Sequence, residues 1–208
     1  MKRTRESRAG AAAACIGELP REGEQIFAIT EGQFSLIDGV EHALSQTGPA
    51  ATTWFVWSFG EHDLQVVSRL HESGLISDAS LIVDRSFLSS RLTGRGYASE
   101  ALTRWRALFG AQSVKLSVNH AKIVLVRSAT HSIVIRSSMN PNLNTRFENM
   151  DLSHSAPAHD FHRAIFDAHA CLPESASGAA VYKASGVGAR PNMAAIVPAF
   201  KNLRRFSI

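Results

Sequence analysis

The sequence has little of the features that would place the protein in a special class. Only two cysteines, Cys15 and Cys171, occur in 208 residues. They stand far apart without a CxxC spacing, so the sequence indicates neither a disulfide framework nor a thiolate zinc site and favours a reducing compartment, the cytoplasm. No apolar run approaches the roughly 18 residues that a membrane span needs. We therefore expect no stable membrane association.

A strong excess of one charge is also absent, because 22 Lys and Arg residues face 18 Asp and Glu residues for a net charge of +4. This balance leans towards a polyanionic partner without selecting one. Apolar residues, in contrast, make up 45% of the chain, enough for the core of one domain. We predict a disordered, basic and Ala-rich tail over residues 1–22, an α/β domain over 23–175, and a Gly- and Pro-containing extension over 176–208.

Apolar runs of strand length alternate with segments of helical periodicity. QIFAIT, TTWFVWSF and ASLIVD are typical of strands, and each precedes a segment whose apolar residues recur at helical spacing. Further strands are predicted over residues 114–126 and 132–136, and a last helix over PAHDFHRAIFDAHACL. The alternation predicts an α/β fold, a layered sheet with helices on both faces. In such folds ligands bind beside the carboxyl ends of the strands.

Two polar residues interrupt the apolar stretch that begins at residue 114. His120 and Lys122 stand two apart in NHAKIVLV, and side chains alternate across a strand, so both are predicted to point to one face. The next predicted strand ends in RSSMN, where Ser138 and Asn140 are again two apart. If the two strands pair as a hairpin, an imidazole, an ammonium, a hydroxyl and an amide form one cluster. Such a cluster suits a phosphate group.

The order of these residues resembles the signature of the phospholipase D superfamily. The family pattern is H-x-K, a strand and a turn, then G-S-x-N and an acidic residue, and this sequence has HAK, SSMN and RFENMD in that order. It is most similar to the small nuclease-like members of bacterial and phage type, which carry one copy of the motif per chain. The resemblance implies a phospholipase D-like form of the α/β fold.

The resemblance also implies a role for each residue of the motif. His120 is the nucleophile, which attacks phosphorus to give a phosphohistidine intermediate. Lys122 and Asn140 hold the non-bridging oxygens and stabilise the charge that develops on them, with help from Ser138. No metal or other cofactor is implied for this chemistry.

Two further roles complete the implied mechanism. Glu148 accepts a hydrogen bond from the other imidazole nitrogen and fixes its tautomer, with Asp151 as the alternative for this role. The leaving oxygen needs a proton, and single-copy family members supply it by pairing two chains around one cleft, each with its own His120. We therefore predict a homodimer with an isologous interface and a shared active-site cleft.

These expectations lead to two classes of function. The first is a metal-independent phosphodiesterase, a nuclease acting on DNA in preference to RNA, with a phospholipase or phosphatidyl transferase as the alternative enzyme. The second is a nucleic-acid-binding relative without turnover, which two departures from the family pattern leave open. Ser137 replaces the usual glycine of G-S-x-N, and Arg127 stands where an aspartate is usual.

Three other groups of residues have structural as well as functional explanations. Trp54, Phe55 and Trp57 offer stacking surfaces for bases, but their strand is apolar and we predict that they belong to the core. The histidines near the last helix match no zinc spacing and are predicted to lie on a polar helix face: His154, His159, His162 and His169. The basic cluster FKNLRRF near the end of the chain is a clamp for a nucleic-acid backbone, a docking segment or a loose terminus.

Overall fold

The computed structural model describes residues 9–89, 96–141 and 146–173. The predicted extension over residues 176–208, with its FKNLRRF cluster, lies outside these residues. The helices are α1 Ala9–Ile16, α2 Leu36–Thr47, α3 Glu61–Glu72, α4 Tyr97–Phe109 and α5 Ala156–Ala168. The strands are β1 Gln25–Glu31, β2 Ala50–Val56, β3 Ile76–Asp84, β4 Val114–Ser117, β5 Ile123–Arg127, β6 Ser132–Ser137 and β7 Phe147–His154.

The seven strands form one mixed sheet in the order β1-β7-β6-β5-β2-β3-β4. β2, β3 and β4 run parallel, and every other neighbouring pair is antiparallel. It follows that β1, β2, β3, β4 and β6 all end at one edge of the sheet, where β5 and β7 begin. This edge is called the carboxyl edge below.

Helices cover both faces of the sheet, as predicted. Val124 and Val126 of β5 point into the larger core with α1 to α4, whereas Leu125 between them packs with Phe55 and with Phe166 of α5. This alternation confirms the α/β fold with a layered sheet. In the part of the chain that the structure describes, no helix combines the length and the apolar character needed to cross a membrane.

The disordered tail predicted over residues 1–22 is wrong for the described residues from 9 onwards. α1 packs on α2, and Ala12 and Ile16 are buried in the larger core. The alanines that suggested a loose tail are strong helix formers. His42 and Gln46 of α2 hold the following turn, with His42 Nε2 2.7 Å and Gln46 Nε2 2.9 Å from the carbonyl oxygen of Gly17. The folded domain therefore includes residues before 23.

The single strand predicted over residues 114–126 is two strands, β4 and β5. β4 lies at one side of the sheet, whereas β5 lies between β2 and β6. Residues 118–122, called the crossing segment below, therefore pass over the carboxyl ends of β3 and β2. Hydrophobicity did not reveal the break, because both strands are apolar. β5 and β6 do form a hairpin, the condition on which the polar cluster depends, with antiparallel pairing from Ile123↔Arg136 to Arg127↔Ser132.

Candidate functional site

Asn119 fixes the crossing segment over the carboxyl edge. Its backbone N–H donates to Oδ2 of Asp84 at 2.7 Å, and its side-chain Nδ2 donates to the carbonyl oxygens of Val56 at 3.0 Å and Ile82 at 3.3 Å. Its Oδ1 accepts from the N–H of Ala121 at 2.9 Å. One amide thus satisfies carbonyl groups near the ends of two parallel strands and holds the backbone from Asn119 to Ala121.

Lys122 is the buried cation of the site, with 8% of its surface exposed. Its Nζ donates to the carbonyl oxygen of His120 at 2.8 Å and lies 3.0 Å from Nδ1 and 3.4 Å from Nε2 of the imidazole. Burial lowers the pKa of Lys122, and the charge of Glu148 opposes that shift. No carboxylate of the described residues forms an ion pair with this ammonium. A buried cation that no described carboxylate pairs with directly favours an anionic ligand.

His120 differs from Lys122 because it is exposed. The ammonium of Lys122 lies close to both ring nitrogens, and the indole of Trp57 is a neighbour of the imidazole with ring centroids 5.8 Å apart. A phosphate oxygen that accepts from Nζ would bring phosphorus within reach of a ring nitrogen. The structure therefore brings the predicted histidine and lysine together, through the crossing segment rather than through a regular strand.

Ser138 and Glu148 meet where β6 leaves the sheet and β7 enters it. The hydroxyl of Ser138 donates to the carboxylate of Glu148 and accepts from the N–H of Asn149 at 3.0 Å. The expected hydrogen bond from His120 to Glu148 is not formed among the described residues, where the imidazole contacts Lys122 and Trp57. Glu148 instead acts on the site through its charge, which raises the pKa of Lys122 against the effect of burial.

Asp151, the alternative partner for the imidazole, points away from the site. It stands three residues after Glu148 on β7, and alternate residues of a strand face opposite sides. Its carboxylate pairs with the guanidinium of Arg136 at 2.7 Å. The alternative role is therefore wrong, and Asp151 serves a cross-strand ion pair between β6 and β7.

The two departures from the family pattern do not disturb the carboxyl edge. No described residue other than glycine has a positive φ, so Ser137 is not strained in place of the usual glycine. Its N–H donates to the carbonyl oxygen of Lys122 at 2.9 Å, which extends the hairpin to the site. Arg127 lies at the other end of β5, where its guanidinium pairs with Asp160. That end is about 13 Å away at the usual rise per strand residue.

Asn140 lies in the segment that follows β6. Its Oδ1 is buried and has no hydrogen-bond partner within the described part of the chain. The neighbouring Pro141 lines an apolar pocket with Val56 and Phe59, so this segment and the crossing segment both reach the end of β2. A buried polar atom without a partner costs about 1–3 kcal/mol. Only a hydrogen-bond donor can satisfy this oxygen, so an anionic oxygen of a ligand would bind Nδ2 of the same amide instead.

Sequence reasoning missed Asn119 and Asp84, and its prediction that Trp57 belongs to the core is wrong. Asn119 immediately precedes the predicted histidine, and its role depends on the position of the crossing segment over two strand ends. Trp54 and Phe55 are buried, as predicted, but Trp57 is 36% exposed. Its position one residue beyond the end of β2 is the signal that separates it from the two core aromatics.

The histidines near α5 do not assemble a metal site in the described residues, where no group of three or more His, Cys, Asp or Glu side chains is placed to hold an ion. The prediction of a polar helix face is wrong for His159, which is 5% exposed. Its Nδ1 lies 3.1 Å from Nη2 of Arg127. His159 therefore belongs to the packing between α5 and the hairpin.

Comparisons with known proteins leave the family of the chain unassigned. No family model matches it, and none of the curated proteins matches it. Among solved structures it is similar to the crystal structure of polyphosphate kinase from Porphyromonas gingivalis, with a TM-score of 0.48 and 16% identity. The likeness covers 74% of this chain and 27% of that chain, so this chain spans about a quarter of the kinase. Fold and site define an α/β protein with a histidine–lysine pair at the carboxyl edge.

Proposed function

We propose that the protein is a metal-independent phosphodiesterase of the phospholipase D type, and that it is a nuclease. One observation carries the proposal: the buried ammonium of Lys122 lies against the ring of the exposed His120. The ammonium favours an anion, and the adjacent imidazole nitrogen is a nucleophile for its phosphorus. The net charge of +4 supports a nucleic acid as the polyanion. We propose DNA in preference to RNA as the substrate.

The proposed reaction has two displacements. In the proposed complex one non-bridging oxygen of the phosphodiester accepts from Nζ of Lys122 and the other accepts from Nδ2 of Asn140. A ring nitrogen of His120 attacks phosphorus, the bond from phosphorus to the leaving oxygen breaks, and that oxygen takes a proton from a general acid. Water then attacks the phosphohistidine, which releases a phosphomonoester and restores the imidazole. Glu148 favours the charged form of Lys122, and Ser138 holds Glu148 in place.

We further propose that the general acid is the second His120 of a two-fold homodimer. Exposed apolar side chains support self-association: Phe27 and Ile29 of β1 and Phe147 of β7 are 77%, 70% and 74% exposed. Their register places them on one face of the sheet, and Phe147 directly precedes Glu148 at the carboxyl edge. Apolar patches of this kind mark interaction surfaces. Light scattering of the eluting protein tests the dimer, and an active monomer would contradict the shared cleft.

The same apolar patch favours one second candidate, a phospholipase or phosphatidyl transferase that meets a lipid surface with Phe27, Ile29 and Phe147. The two candidates differ in their substrates and in what the patch contacts. A cytoplasmic location remains our proposal, and both cysteines are free in the structure. A nucleic-acid-binding protein without turnover is the remaining outcome of the experiment below.

The experiment incubates the purified protein with labelled DNA and RNA in excess EDTA, beside His120→Ala. Cleavage that resists EDTA and is lost in the variant supports the proposal. Binding without cleavage by either form supports the non-catalytic relative, and cleavage abolished by the chelator contradicts the mechanism. Parallel reactions with phosphatidylcholine vesicles and with inorganic polyphosphate detect a lipid or a phosphoanhydride substrate.

A further inference from the structure

We infer that Trp57 is a stacking platform for the nucleobase beside the scissile phosphate, so that the preferred substrate has unpaired bases. This inference rests on the proposed nuclease function. It begins from a contrast in burial among the three tryptophans. Trp54 and Trp105 are each 2% exposed and pack edge to face in the larger core, whereas Trp57 is 36% exposed. The core therefore does not account for an indole at this position.

The position of Trp57 ties it to the reacting group. It stands one residue beyond β2, and its ring centroid lies 5.8 Å from that of His120 with the planes tilted by 44°. In a nucleotide one sugar joins the base to its phosphate. When phosphorus is held at the imidazole, the base of the same nucleotide arrives within reach of the neighbouring indole.

Hydrogen bonds fix the orientation of the indole before any ligand binds. Its Nε1–H donates to Oγ of Ser86 at 3.1 Å, and the N–H of Ser86 donates to Oδ1 of Asp84 at 2.8 Å. Oδ2 of the same aspartate accepts from the N–H of Asn119 at 2.7 Å. One carboxylate thus holds both the loop that orients Trp57 and the crossing segment that carries His120. A preorganised ring loses little conformational entropy when a base stacks on it.

Stacking on one exposed indole predicts a substrate class. Every base has an aromatic face, so such a contact is tolerant of sequence, and a base inside a duplex must first leave its stack to reach the indole. Single-stranded DNA or RNA, or unpaired ends, should therefore be cut in preference to duplex. Loss of one base–aromatic contact weakens binding by about tenfold to a hundredfold.

The first test compares Trp57→Ala and Trp57→Phe with the wild type on two single-stranded oligonucleotides. One is intact, and the other is abasic at the cleaved nucleotide. On the intact strand we expect KM to rise about tenfold or more in Trp57→Ala with little change in kcat, and less in Trp57→Phe, which keeps a ring. On the abasic strand all three proteins should have equal KM. Phe161→Ala, which removes a partly exposed ring from α5, is the matched control and should behave as the wild type.

A second readout does not need turnover. In the His120→Ala background, anisotropy of a labelled single strand should give a dissociation constant that rises when Trp57→Ala is added, for the intact strand alone. Equal affinities with and without Trp57, or equal losses on intact and abasic strands, would overturn the inference. Failure of the nuclease proposal is distinguishable, because wild-type protein would then bind the strands without cutting them.

Discussion

Each end of the β5–β6 hairpin carries a cation beside a histidine. At the carboxyl edge the pair is Lys122 with His120, and at the opposite edge it is Arg127 with His159. In the first pair the cation is buried and the histidine is exposed. In the second pair the histidine is buried, and Arg127, whose side chain is 37% exposed, pairs with the carboxylate of Asp160.

The comparison teaches which feature of such a pair indicates reactivity. Burial and the adjacent Arg127 lower the pKa of His159 to about 4, so this imidazole is neutral and enclosed at physiological pH. Arg127, the cation beside His159, already pairs with the carboxylate of Asp160. At the carboxyl edge the imidazole is accessible, and burial lowers the pKa of a cation that no described carboxylate pairs with directly. A bound phosphate would pair directly with the ammonium of Lys122 at that end.

Replacement of the histidine should produce the largest difference in cleavage rate between the two ends. His120→Ala should lower the rate of EDTA-resistant cleavage by a factor on the order of 10⁴ or more, because the covalent step is lost. His159→Gln should keep the rate within about twofold of the wild type, since His159 lies away from the carboxyl edge. Initial rates on one labelled strand measure both, and equal losses in the two variants would remove the distinction between the ends.

Removal of the cation should affect the rate almost as differently at the two ends, Lys122 at the carboxyl edge and Arg127 at the opposite edge. Lys122→Met should lower kcat by about 10²–10³-fold, because a charge that stabilises the transition state is removed. Arg127→Met is the matched change at the opposite end and should leave kcat unchanged. Steady-state kinetics on folded variants measure this, and a fully active Lys122→Met protein would show that the buried ammonium has no part in the chemistry.

Acid should destabilise the protein by favouring protonation of His159, which lies at the sheet edge opposite to the carboxyl edge. The pKa of His159 is about 4 in the folded state, below the ordinary value of about 6.5, so the unfolded chain binds more protons between these values. The contribution of His159 to the unfolding free energy is therefore fully present above about pH 6.5 and is lost as the pH falls towards 4. On going from pH 7.5 to 5, the wild type should lose about 2 kcal/mol more unfolding free energy than His159→Gln.

Urea titrations at the two pH values measure this difference. An identical loss of unfolding free energy in the wild type and in His159→Gln would show that the buried imidazole is not neutral in the folded protein. The rate of cleavage at neutral pH should stay unchanged in the variant, which separates stability from catalysis.

The alkaline limb of the pH–rate profile should depend on Lys122 at the carboxyl edge. Cleavage needs the charged form of Lys122, whose pKa is lowered, so the rate should fall with rising pH below the ordinary lysine value of about 10.4. Glu148→Gln removes the charge that raises this pKa and should move the alkaline limb to lower pH, a change of a few-fold in rate near pH 9. A pH–rate profile of both proteins measures it, and a shift to higher pH would refute the role given to Glu148.

The smallest effect is expected at Asp151. Asp151→Asn breaks a partly exposed ion pair with Arg136 on the other face of the sheet and should cost no more than about 1 kcal/mol of stability. Its cleavage rate and pH profile should match those of the wild type. A loss of cleavage comparable to that of His120→Ala would restore Asp151 as the partner of the imidazole.

Much of the fold was predictable because strand and helix periodicities are local. The order of the apolar runs predicted the layered α/β fold and left the β5–β6 hairpin as a condition, which the antiparallel pairing fulfils. The break between β4 and β5 could not be predicted, since only the pairing of distant strands moves β5 to the middle of the sheet. The packing of α1 and the exposure of Trp57 likewise depend on tertiary contacts. The residues HAK and SSMN indicated the site, but the partners of Glu148 required the register of β7.

Covalent catalysis by His120 is tested most directly by the stereochemical course at phosphorus. The substrate is a phosphorothioate diester of one configuration, cleaved in isotopically labelled water and excess EDTA, and the configuration of the product is then determined. Two displacements, one by the imidazole and one by water, predict net retention. Net inversion would mean that water attacks the diester directly and would contradict a phosphohistidine intermediate.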